Sequence, residues 1–135
     1  MKVHTLVAMM LLPASLLAQR PTVGSIERLD PALDSLIAPG ARIEQLATGF
    51  QWSEGPLWRK QGGYLLFSDV PANTIYRWRE REGIDVFMRP SGYVGPNPPG
   101  RELGTNGLTA DLQGRLVVAD HGNRMIARAG SEFAT

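Results

Sequence analysis

A chain of 135 residues with no cysteine cannot be stapled by disulfides, and two histidines without a thiolate argue against a zinc site. The net charge of +1 offers no electrostatic reason to expect a nucleic-acid or anionic-membrane partner. The length suits one small domain, and the residues themselves must say whether it is a whole one.

Residues 1–18 read as an export signal: Lys2 in a short leading segment, the apolar run "LVAMMLLPASLLA", and small-residue cleavage at Leu16-x-Ala18 before Gln19. The run of 13 residues is too short to span a bilayer and is interrupted by Pro13. Removing it leaves 13 basic and 13 acidic side chains and predicts a periplasmic or secreted protein. Residues 19–29 are polar and aperiodic, a linker. "DPALDSLIAPG" predicts a two-turn helix: Asp30 as N-cap, Pro31 in the first turn, Leu33, Leu36 and Ile37 on one stripe, and Pro39-Gly40 as the stop.

From residue 41 the pattern becomes β. "ARIEQLA" (41–47) predicts a strand, and "YLLFSD" (64–69) and "RLVVAD" (115–120) predict strands buried on both faces. "NTIYRWRE" (73–80) and "IDVFM" (84–88) continue the series. The stretch 89–104, with prolines at 90, 96, 98 and 99, is neither helix nor central strand, and a loop of that length in a compact domain is usually functional or disordered.

The segment "EGPLWRKQGGYLLFSDVPANTIYR" matches "NGLTADLQGRLVVADHGNRMIAR" at an offset of 52, then 51, residues. Glu54 faces Asn106, Asp69 faces Asp120, and Ile75-x-Arg77 faces Ile126-x-Arg128. A β repeat of this length suggests a propeller blade, a four-stranded sheet set radially around a channel. Glu54 and Asn106 each stand just before the turn into a buried strand, where two successive blades would aim them at one point. Asp69 and Asp120, at matching strand ends, read as turn caps, and Trp52, Trp58 and Trp78 read as blade packing.

"LDSLIAPGARIEQLATGFQWSEGPLW", "LLFSDVPANTIYRW", "PSGYVG" and "TNGLTADLQGRLVVADHGNRMIAR" resemble the opening blades of the SMP-30/gluconolactonase/LRE-like family, in its exported bacterial form. The resemblance runs from Asp30 to Arg128. It implies an all-β fold, the first one to two blades of a six-bladed β-propeller over residues 30–135, behind the signal peptide and short helix. It also implies a divalent metal, usually calcium, and hydrolysis of a small-molecule sugar lactone. By the same resemblance Glu54 is a metal ligand, and Asn106 contacts the substrate or the metal, directly or through water. An arginine that animal members carry two residues before that asparagine is Gly104 here, so its contact is not carried over. Glutamate and asparagine supply the hard oxygens calcium prefers.

His121 at a strand end and Arg101 in the long loop are further candidates for substrate contact, and no residue is singled out as the general acid or base. Six blades of roughly 45 residues need about 270, so the sequence predicts a truncated and inactive propeller segment. A second class fits the same residues: an exported propeller that binds a sugar or protein partner without catalysis. A third is a self-sufficient small β domain.

Overall fold

In the computed structural model, residues 20–129 are described, and the predicted export signal lies outside them. The chain divides at Glu44/Gln45 into two compact units. Among the described residues no helix is long and apolar enough to cross a membrane.

In the first unit, residues 20–29 are not a free linker. Thr22 bridges Glu44, Val23 N–H donates to Ile43 C=O at 2.9 Å, and Arg20 pairs with Glu44. That bridge is the only β pairing of the stretch 41–47, predicted as a strand. The predicted two-turn helix is a short 3-10 helix, Pro31–Ser35, capped as expected by Asp30, whose carboxylate accepts from Ala32 N–H at 2.7 Å. Beyond it, Arg28 donates to the carbonyls of Ile37 and Ala38 and ties the exit of the helix to residues 20–29. Its apolar stripe is left uncovered, with Leu36 82% exposed.

The second unit holds two antiparallel meanders. The first is β1 (Ser53–Arg59), β2 (Tyr64–Asp69), β3 (Thr74–Arg79) and β4 (Gly83–Met88), paired in sequence order. The second is β5 (Thr105–Ala110), β6 (Leu116–Asp120) and β7 (Met125–Arg128), again in order. Short polar turns and period-two alternation account for this. Tyr64, Leu66 and Ser68 of β2, and Leu116, Val118 and Asp120 of β6, are buried on one face, while the residues between them are only half-buried. The runs predicted as buried on both faces therefore alternate. One core joins the sheets: Tyr64, Leu66 and Ile75 from the first cluster with Leu116 and Val118 from the second.

The opposite face of the first sheet carries Phe50, Phe67 and Tyr76 in edge-to-face and stacked contact, centroids 4.8–5.7 Å apart. Trp78 is buried as predicted, whereas Trp52 and Trp58 are 40% and 55% exposed. "EGP" and "NG" are not turns either. Both lie inside strands, where each pairing slips register between Glu54 and Leu57 and between Thr105 and Leu108.

Candidate functional site

Antiparallel alternation puts the start of β1, the end of β2, the start of β5 and the end of β6 on one rim of the unit. Glu54, Asn106, His121 and the loop 89–104 all belong to that rim. The repeat places Glu54 and Asn106 at equivalent positions of the two sheets, and the packing makes them neighbours. Gly55, at φ +57°, lies so close to β5 that a Cβ there would sit 2.3 Å from Asn106 O and 2.8 Å from Leu108 N. Glu54 pairs directly with Ser68. Opposed residues of an antiparallel pair present side chains to the same face, and Ser68 Oγ reaches Thr105 Oγ1 at 3.0 Å and donates to Asn106 O at 2.9 Å. The half-buried Glu54 therefore stands on the face turned toward the second sheet.

Its carboxylate is held from one side. Trp52 Nε1–H donates to Glu54 Oε1 at 2.9 Å. The backbone beneath that tryptophan is anchored by the buried Asp69, whose Oδ2 accepts from Gln51 N–H at 3.0 Å and Oδ1 from Trp52 N–H at 3.1 Å. Asp69 was expected to cap its own turn, yet it binds the segment that enters β1. Asp120, its counterpart in the repeat, does cap its turn, taking Asn123 N–H at 3.0 Å and Asn123 Nδ2–H at 2.8 Å.

Asn106 and His121 share an open cleft of ≈ 510 Å³, with Asp120 and Arg124 also on its wall. His121 Nε2 lies 3.0 Å from Glu102 Oε2, which ties it to the long loop. The start of that loop is tied down by one side chain. Asn73 Oδ1 accepts from Ser91 N–H at 3.0 Å and Gly92 N–H at 2.7 Å, while its Nδ2–H donates to Tyr93 O at 2.8 Å. Asn73 adopts φ +51°, a left-handed conformation that asparagine tolerates better than most residues. Arg101 is exposed on the loop and does not line the cleft, nor does Glu54.

Glu54 and Asn106 offer donors of the right kind for a hard cation, a carboxylate and an amide oxygen. Among the described residues no three of His, Cys, Asp or Glu group into a cation site. Two such donors fall short of the six to eight oxygens that a calcium ion takes. The sequence reading missed the supporting residues Trp52, Ser68 and Asn73. For Trp52 the signal was present: an aromatic N–H two residues before the acid, where the repeat has Gly104.

Residues 52–135 match the SMP-30/Gluconolactonase/LRE-like region. The chain belongs to the SMP-30/gluconolactonase/LRE-like family. It is 43% identical over 109 residues to a gluconolactonase of Zymomonas mobilis subsp. mobilis, a match covering 79% of this chain and 31% of that protein. Among solved structures it is similar to XC5397 of Xanthomonas campestris, described as a gluconolactonase important in glucose secondary metabolic pathways. There the TM-score is 0.62 at 29% identity, over 84% of this chain and 33% of that one. A putative gluconolactonase structure gives 0.61 at 30% identity, over 75% and 31%. The chain thus spans about a third of the length of these SMP-30/gluconolactonase relatives. The all-β reading holds: apart from the 3-10 helix, the named elements are the seven strands of two antiparallel sheets.

Proposed function

We propose that this chain supplies the first two blades of an exported six-bladed β-propeller that hydrolyses a sugar lactone with the help of a divalent cation, calcium by the character of its oxygen donors. One observation carries the reading: two sheets of one repeat bring an acid and an amide, Glu54 and Asn106, to adjoining positions on one rim, with Gly55 touching β5. The gluconolactonase names of the relatives support the substrate class. The export segment, residues 1–18, and the propeller segment, 30–135, belong to the same proposal.

When bound, the cation supplies electrophilic activation of the lactone carbonyl. The chain's own residues do the rest of what these two blades can do. Glu54 keeps Oε1 on the Trp52 indole, which leaves Oε2 to face the ligand. Asn106 and His121 line one cleft, where amide and imidazole can hold sugar hydroxyls. Glu102 holds the imidazole, Asn73 holds the start of the loop, and Tyr93 N–H bonded to Leu103 O links that start to the Glu102 end. Two oxygen donors fall short of a calcium shell. The segment 19–135 by itself is therefore expected to be inactive. Assay of that segment with gluconolactone and saturating calcium should give the spontaneous hydrolysis rate. Calcium-dependent turnover that Glu54→Gln abolishes would show a self-sufficient enzyme instead.

A further inference from the structure

We infer that Trp52 is a positioning residue for Glu54: its indole N–H fixes the carboxylate rotamer so that Oε2 alone meets the ligand, and the buried Asp69 holds the indole in place. The inference rests on the proposed role of Glu54. Three observations carry it.

First, Trp52 is 40% exposed, and the polar end of its indole is turned to the acid: its Nε1 lies 2.9 Å from Glu54 Oε1. Second, the repeat shows that the blade does not need this side chain. The position equivalent to Trp52 is Gly104, where a Cβ would sit 2.7 Å from Val70 O and 2.9 Å from Asn73 Cα. The same step of the repeat thus excludes a side chain in one sheet and carries the largest one in the other. Third, Asp69 and Asp120 are equivalent and both buried, but only Asp69 is turned onto the strand entry. It is 2% exposed and spends both oxygens on the amides of Gln51 and Trp52. Val70 N–H completes the hold by donating to Trp52 O at 3.2 Å. A carboxylate buried in this way keeps the tryptophan backbone from drifting, and the indole then removes one of the rotamers open to Glu54. Groups that orient a ligand in this manner change metal affinity by about 10- to 100-fold when removed.

The test titrates Tb³⁺, a hard oxygen-seeking ion, into the whole chain and into Trp52→Phe, Asp69→Asn and Glu54→Gln, with a urea unfolding midpoint for each. Tb³⁺ is excited directly, so that losing the tryptophan antenna does not count as losing the ion. Glu54→Gln should abolish saturable binding. Trp52→Phe, which keeps a ring but removes the donor, should raise the Kd by about tenfold or more while the urea midpoint stays in place. Parent-like affinity in Trp52→Phe, with binding lost in Glu54→Gln, would overturn the positioning role and leave the ligand reading standing. Parent-like binding in Glu54→Gln, or no binding by the parent, would remove both. A metal-free measurement stands beside it. The Trp52 indole N–H resonance should move in both Glu54→Ala and Asp69→Asn, and a resonance that stays put in either would break the relay. If Asp69→Asn fails to fold, Trp52→Phe and Glu54→Ala decide.

Discussion

Ser68 joins the two sheets at the point where the candidate ligands meet. Its hydroxyl is fully buried between Thr105 Oγ1 and Asn106 O, directly opposite Glu54. Ser68→Ala removes almost no volume but takes the partner from the buried Thr105 hydroxyl and a donor from the part-buried Asn106 carbonyl. Leaving such groups unsatisfied costs about 1–3 kcal/mol, so the urea midpoint should fall accordingly, and a midpoint unchanged from the parent would show that the contact is not formed. The sequence could not announce this residue, because a serine between Phe67 and Asp69 reads as a strand end. Glu54 was singled out for another reason. Its motif, "SEGP" between two tryptophans, resembles that of the family, and without the resemblance an acid in such a stretch reads as a solvated loop residue. What stayed hidden was the direction of the bonds around it: Trp52 grips the acid, whereas Trp58 lies exposed.

At the scale of elements, β2, β3, β4 and β6 were legible because apolar runs ending in aspartate, or alternating with charges, favour strands, and β7 followed from its match to β3 in the repeat. The other two, β1 and β5, begin with dipeptides that ordinarily make turns, and here those dipeptides sit at register slips inside strands. Gly55 shows why the residue type is needed. It combines a left-handed φ of +57° with backbone of β5 where its Cβ would be. Gly55→Ala should therefore force the sheets apart at a cost of about 1–3 kcal/mol or more, read as a lower urea midpoint. A midpoint equal to the parent would mean that β1 does not approach β5 so closely.

The β5–β6 turn is set differently. Desolvation works to raise the Asp111 pKa, but it is outweighed by the Arg115 N–H, the Arg115 guanidinium and the Gln113 N–H, which together hold it below the ordinary value of 3.8. A lowered folded pKa stabilises above the unfolded value and loses that contribution as pH falls through the folded one. Asp111→Asn should thus lower the thermal midpoint at pH 7, and the gap to the parent should close toward pH 2. A gap independent of pH would contradict the assignment.

For the molecule as a whole, the internal repeat was the most informative feature, since it carried both the sheet order and the pairing of Glu54 with Asn106. The stretch 20–44 was less legible because its structure comes from one bridge, an arginine that takes two carbonyls, and a 3-10 turn, none of which leaves a hydrophobic period. The cleft was hidden too, since it needs β5, β6, β7 and the turn between the last two brought together. The most direct measurement is titration of Mn²⁺, a hard oxygen-seeking ion, followed by NMR of the side-chain signals. Joint paramagnetic broadening of Glu54 and Asn106 at the same ion concentration, with Arg101 unaffected, is the expected result. Broadening of one without the other, or of neither, would contradict a shared cation at this rim.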